Sequence, residues 1–596
     1  MATRRRERQV RAAKAPSARR AARPKMEASP PGGAAATGAT VGEVLRALRP
    51  GARWRAFPEW PPDAFALVAT LLRDSGGYVY AASGAWPPQD SDPLPWQSAT
   101  SRWAASAKLR ARAWRRRAAN AEWPGRSVHP LDASVTDAWD SVVAAADLAI
   151  PELPRHPKLL RALLDLLAVA DEASQSAGNL PSWLAPDDST SPGSKRTFAD
   201  HAARTLMLNG FRSLCREVPV ERAAVLPKMH TPSVGLTLRS LSHYLSLVPR
   251  SPVQATWNWL PNPRARRALN LLLLPWPLSV CPTMFADVPG VAGHLPDGFG
   301  YFAMSAASGL ADALPRVRRA LEAAEAVSDR VDAIVFPEGA LEPGTCAALA
   351  ARLGIVVIGG EARAPGATKL GASQAVIAAG ATVGAHAYTS SLIQPKHHRW
   401  CLDRGQLEQY GLAGRLPASR RWWEAIEVGE RRIRFGMLDP TLAFCVLICE
   451  DLARQDPTAD VVRSVGPNLV VALLADGPQL RDRWSARYAS VLADDPGSSV
   501  LTLTSLGMAS RCVPPGCRPS RVVGLWRDPV RGAVVLELPE EHDGIVLSLA
   551  NELSVEHTAD GRTDDGRTGC LTYAGSFPVR TRPPGDEPAA GRRPRV

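Results

Sequence analysis

The sequence has no long hydrophobic run. Its longest apolar stretch, around ALNLLLLPWPLSV (268–280), is too short for a membrane helix and is broken by prolines. The opening residues, MATRRRERQVRAAKAPSARRAARP, hold no apolar segment of the kind a secretory signal needs. Their Arg/Ala richness resembles a transit peptide, but a basic tail is the simpler reading. No CxxC pair occurs among the nine cysteines, which are scattered at 215, 281, 346, 401, 445, 449, 512, 517 and 570. An odd, dispersed set argues against a disulfide framework and for free thiols in a reducing compartment, so the cytoplasm is the expected location. P-loop, GxSxG and dinucleotide-binding glycine patterns are all missing. LADD (492–495) closes a helical run and has no companion motif, which excludes a polymerase site. Cys512 and Cys517, in CVPPGC, are too widely spaced for a zinc pair, and His397 and His398 have no ligand cluster beside them. No metal or organic cofactor is expected.

What the chain does have is length and an uneven charge. Its 596 residues allow two to four domains, and a 45% apolar fraction can bury a large core. The formal charge is +13. Residues 1–30 carry ten Lys/Arg against two acids, and 571–596 carry five Arg against two acids, so these tails hold a net +11. The body is nearly neutral, which argues against nucleic acid as a partner beyond weak contact by the tails. One internal segment, KLRARAWRRRAAN (108–120), carries six Arg/Lys and reads as a solvated helix face rather than a polyanion site.

Composition and periodicity divide the chain. Residues 1–40 lack apolar periodicity and are expected to be a disordered basic tail. Residues 41–262 read as a mainly helical accessory domain, with WPPDAFALVATLLRDSGG and PKLLRALLDLLAVADEAS at helical spacing. The loop APDDSTSPGS (185–194) interrupts it. From 265 to 555 short β-rich runs alternate with Ala-rich helices, an α/β pattern. Residues 556–596 are expected to be a second disordered basic tail. The helical domain is expected to pack beside the cleft of the α/β domain, as lids do.

Three polar residues stand where apolar β runs end: Glu338 in IVFPEGA, Lys396 in LIQPKHHRW and Cys449 in VLICEDL. A strand end holds a side chain rigidly at a cleft rim. A thiol is a weak nucleophile until its proton is removed, and a neighbouring cation favours the thiolate. A carboxylate can take that proton and return one to a leaving amine, while a lysine stabilises an oxyanion. Cys445, four residues earlier on the same run, reads as a core residue.

FPE, then a lysine after a short strand, then ICED, resembles the nitrilase or carbon–nitrogen hydrolase superfamily. WSARYASVLADDPGSSVLTLTSLG and GLWRDPVRGAVVLELPEEHDGIVLSL resemble segments that follow the nucleophile there. The resemblance covers roughly 265–555 and implies a four-layer α-β-β-α sandwich that forms homo-oligomers. It implies a Glu338–Lys396–Cys449 triad that hydrolyses a non-peptide C–N bond of a small amide or nitrile through a thioester. Many members have a second glutamate soon after the lysine; Glu408 is the candidate here, with Asp403 competing, and Glu450 is expected to orient the turn. The stretch CPTMFADVPGVAGHLPDGFGYFAMSAASG departs from the family pattern and is expected to shape the pocket rim, as are the loops near 400–430. Trp400, Trp422 and Trp423 read equally as pocket lining or core. The alternative function is a nitrilase-like binding or regulatory module with a protein partner on the helical domain. Linkage to a reverse transcriptase in bacterial phage defence is an analogy for it.

Overall fold

Helix starts in the first third are written in its capping residues. Thr40 and Glu43 form a reciprocal capping box on α1 (Val41–Leu48). Prolines open α2 (Pro61–Ser75), and Gly76, in the left-handed region, closes it. α3 (Pro95–Asn120), α4 (Ala133–Ala144), α5 (Pro157–Ala173) and α6 (Phe198–Leu208) follow. The computed structural model describes residues 38–81, 95–120, 130–184, 197–260, 267–290, 295–383, 386–439, 441–513 and 518–581. The basic tail expected over 1–40, the loop at 185–194 and the last fifteen residues therefore lie almost wholly outside the described residues. From Ala39 onward the chain forms one compact unit. Among the described residues no helix is long and apolar enough to cross a membrane.

The basic run on α3 is only partly a solvated face: Arg112 and Arg116 are exposed, while its other cations find partners within the chain. Arg110 makes a bidentate pair with Asp165, Arg117 pairs with Glu59, Lys108 with Asp565, and Arg115 donates to Gln175. Four of its six cations thus pair within the chain, two of them, Lys108 and Arg117, at the surface.

Fourteen strands form two seven-stranded sheets. In chain order they are β1 (Gln254–Trp259), β2 (Ala268–Leu273), β3 (Ala333–Val335), β4 (Val356–Arg363), β5 (Ala372–Val383), β6 (His386–Pro395), β7 (Arg432–Asp439), β8 (Leu442–Ile448), β9 (Leu469–Leu474), β10 (Ser499–Thr504), β11 (Val522–Asp528), β12 (Gly532–Glu537), β13 (Gly544–Ser554) and β14 (Thr568–Val579). The first sheet runs β6-β5-β4-β3-β2-β13-β14 and the second β12-β11-β10-β9-β8-β7-β1. Strand alternation explains the packing. Leu271 and Leu273 of β2 join the core shared with Val446 and Val471 of the second sheet. Leu272, between them, points the other way, toward Val317 of α7 (Leu310–Glu325) and Leu349 of α8 (Thr345–Leu353). On the second sheet, α9 (Trp484–Asp494) packs against β10 and β11.

The sheets do not respect the boundaries read from composition. β1 lies before residue 262, in the stretch read as helical, yet it pairs in parallel with β7. β14, in the stretch read as a tail, pairs with β13 along its length. The preceding loop is also folded: Arg562 is fully buried and bound to Asp171, Glu172, Asp560 and the Leu241 carbonyl. The composition of 556–581 misled because Arg562 and Asp560 serve a buried ion network rather than solvent.

The helical region also sits elsewhere than expected. Met229 and His230 donate backbone hydrogen bonds to Val465 and Gly466, just before β9, and Arg239 pairs with Asp495, before β10. Cys449 follows the far end of β8, which is parallel to β9. A six-residue strand separates the two ends by about 20 Å. The helical region therefore braces the strand starts, away from the cleft.

Candidate active site

Two sheets deliver the three residues to one place. Glu338 follows β3, and Lys396 follows β6, whose direction matches that of β3 through two antiparallel steps across β5. The long hairpin β5–β6 thus returns the chain to the same end of the first sheet. The second sheet supplies Cys449 directly after β8. Lys396 Nζ donates to Glu338 Oε1 at 2.6 Å and to Glu424 Oε2 at 2.5 Å. The ammonium is completely enclosed, with its side chain 1% exposed.

Burial alone would lower the lysine, but Glu338 and Glu424, with the Cys449 thiol, hold it well above its ordinary value. It stays charged. Burial raises Glu338 above the usual carboxylate range, with Lys396 opposing and Glu424 reinforcing the shift. Ser373 donates to Glu338 Oε1 at 3.3 Å, whereas Oε2 is buried with no hydrogen-bond partner among the described residues. A buried, unpaired carboxylate oxygen is costly and marks a group kept free for something else.

Cys449 has φ +47, a left-handed conformation that a non-glycine residue rarely adopts. This forces the thiol out of the strand's register at the turn Cys449–Ala453. Burial pushes the thiol well above its ordinary value; the Glu338 charge adds to that, and Lys396 and the Ala475 backbone N–H oppose it. The resting group is a thiol within electrostatic reach of an acceptor and a cation. Asp451, buried behind it, accepts from the His397 backbone N–H at 3.1 Å and from His398 Nδ1 at 2.8 Å, fastening the Cys449 turn to the residues after Lys396. That is where the two histidines go.

The structure does not bring every expected residue here. Glu408 is on the surface, paired with Arg404 one helical turn away. Asp403 caps that short helix by accepting from the Gln406 N–H. Glu450 points outward to Arg454. The second glutamate on the lysine is Glu424, which ends the strand Arg421–Glu424. Its distance in sequence hid it: it lies 28 residues beyond Lys396, in RWWE, where nothing local distinguishes it from a surface strand. Cys445 is buried within β8, where burial raises its thiol. Cys512 accepts from Gln409 Nε2 at 2.9 Å, while Cys517 lies outside the described residues.

A cavity of about 450 Å³ opens onto Glu338, Glu424 and Ala475. Its outer wall comes from a four-stranded sheet separate from the two large ones, made of Cys401–Leu402, Arg421–Glu424, Phe299–Met304 and Phe285–Asp287. That sheet has its own small core around Trp422. Gly300 is required there, since a Cβ at that position would lie 2.5 Å from the Trp422 ring. Trp400 lines the cavity, Trp422 is core, and Trp423 stacks on Phe299.

No family model and no curated protein sequence matches the chain. Among solved structures it is similar to Nit3 of Saccharomyces cerevisiae, a member of branch 10 of the nitrilase superfamily, at 13% identity, with a TM-score of 0.29, over 48% of this chain and 90% of that one. It is similar to a CN-hydrolase superfamily protein of Xanthomonas campestris, whose active site holds an arsenic adduct, at 12% identity and TM-score 0.27, over 48% and 90%. A carbon–nitrogen hydrolase from Helicobacter pylori G27 is similar at 11% identity and TM-score 0.26, over 46% and 86%.

Proposed function

We propose that the protein is a cysteine-dependent carbon–nitrogen hydrolase that cleaves an amide, built on a four-layer α-β-β-α sandwich and braced by the helical region. The observation that carries this reading is the buried cluster itself. A carboxylate with one unpaired oxygen lines a cavity and is paired with a fully enclosed ammonium, and a strained cysteine lies within electrostatic reach of both. No structural need of the core accounts for that combination, because a buried ion group is costly unless fully satisfied.

In this mechanism Glu338 takes the Cys449 proton as Sγ attacks the amide carbon. Charge developing on the carbonyl oxygen is met by Lys396 and by backbone N–H groups of the turn after Cys449. Glu424 keeps Lys396 charged and aimed, so the lysine stabilises charge rather than transferring a proton. The C–N bond breaks, Glu338 gives its proton to the departing nitrogen, and the amine leaves. Water then attacks the thioester, Glu338 accepts its proton, the C–S bond breaks and the acid departs. The thiol regains its proton from Glu338. Each step keeps Glu338 as the single proton carrier.

The same reading carries a bacterial, cytoplasmic homo-oligomer. Replacing Cys449 tests it. Cys449→Ala and Cys449→Ser are expected to abolish amide turnover while retaining the melting temperature of the parent. Full turnover by either variant would refute the mechanism.

A further inference from the structure

The cavity above the cluster is asymmetric in a way that selects its ligand. Its inner side carries Glu338 and Glu424, the two carboxylates on Lys396, with Ala475 beside the thiol. Its outer side presents Phe302, Met304, Trp400 and Ile426. Phe302, Trp400 and Ile426 are almost completely buried, so their positions are set before a ligand arrives. Phe302 and Trp400 meet edge to face at 5.5 Å, and Tyr410 holds the other side of Trp400 in the same geometry at 5.5 Å. The Trp400 backbone N–H donates to Glu424 Oε2, so the aromatic wall and the lysine's second carboxylate are one rigid piece.

Charge points the same way. The described residues lining the cavity include one cation, Arg363, which is exposed, against the carboxylates of Glu338, Glu424 and Glu342. Lys396 is already committed to two of those carboxylates. A substrate bearing a carboxylate beside its amide would find no buried partner there and would face like charge.

Resting on the hydrolase reading, we propose that the substrate is a neutral carboxamide whose acyl group is bulky and apolar, of aryl or branched-alkyl size, packed against the wall formed by Phe302, Met304, Trp400 and Ile426 with its amide toward Glu338 and Ala475. Amides of dicarboxylic acids are excluded. The specificity wall is the inserted four-stranded sheet, not the two large sheets.

The test compares kcat/KM for phenylacetamide, acetamide and succinamate, with the rate of Cys449 alkylation by iodoacetamide, read by peptide mass spectrometry, as a binding assay that needs no turnover. Phenylacetamide is expected to exceed succinamate at least about 100-fold and to slow alkylation of Cys449, whereas succinamate leaves alkylation unchanged. Trp400→Ala is expected to lower the phenylacetamide-to-acetamide ratio about 10-fold. Because that variant also removes the ring that Tyr410 packs against, Met304→Lys provides an independent arm: a cation on the wall should raise kcat/KM for succinamate. Equal or better use of succinamate by the parent, or alkylation that phenylacetamide fails to slow, would overturn the assignment. Turnover of phenylacetamide by Cys449→Ala would instead refute the thioester mechanism and leave the substrate class standing.

Discussion

Glu338 carries the proton account of this site, and its surroundings fix the direction of its pH dependence. Burial lifts it above the ordinary glutamate value of about 4.3, and Glu424 adds to the lift. In the proposed mechanism the deprotonated form is the base. Turnover should therefore be present above the raised value and be lost as pH falls through it, at higher pH than a free carboxylate would give. Glu424→Gln removes a neighbouring negative charge, so the acid limb of kcat/KM should move to lower pH, while kcat falls by about 100-fold because Lys396 loses its second anchor. A limb that stays in place or moves upward would contradict this arrangement. Glu338, Lys396 and Cys449 were each legible because a polar residue ended an apolar β run. Glu424 was not, since it reaches the lysine only through a sheet whose pairing, Arg421–Glu424 beside Phe299–Met304, joins segments over a hundred residues apart. Local pattern carries no trace of such a contact.

The elements that aim these side chains tolerate little change. Glu338 lies on a turn directly over Gly360 of β4, where a Cβ would meet the Glu338 Cα at 2.4 Å and the Gly339 nitrogen at 2.6 Å. Both are backbone atoms, so Gly360→Ala must displace the turn. Overpacking of this kind costs about 1–3 kcal/mol of stability. A shift of about 1 Å in the base lowers kcat by about 100-fold. Thermal denaturation with steady-state kinetics checks both figures; parental kcat in a folded Gly360→Ala protein would show that the turn has slack. At this scale the β-rich runs of 265–555 announced most strands, and the hairpin β5–β6 was visible in QAVIAAGATVGAHAYTS. β1 and β14 were obscured. QATWNW is short and follows helices, and TGCLTYAGSFPV follows a charged loop, so their surroundings outweighed their own alternation.

Across the whole molecule, the last described segment ties the helical region to the sheets. Arg562, enclosed among Asp171 and Glu172 of α5, Asp560 and the Leu241 carbonyl, joins parts of the chain nearly 400 residues apart. Removing one member of a buried charge group leaves the others uncompensated. Arg562→Met should cost about 3–5 kcal/mol by denaturant unfolding, and a chain ending at residue 555 should fail to fold, since it also loses β14. An Arg562→Met protein as stable as the parent would mean that the network contributes nothing. None of the groups that Arg562 binds belongs to the Glu338–Lys396–Cys449 cluster, so the variant should alter stability before it alters KM. The central claim, that Cys449 forms a covalent bond to the acyl group, is tested most directly by quenching the enzyme in acid during turnover of an amide and mapping the peptides by mass spectrometry. The account predicts one acyl group on the peptide containing Cys449, absent from Cys449→Ala. Steady turnover with no acyl mass on that peptide, or with the acyl group on another residue, would contradict it.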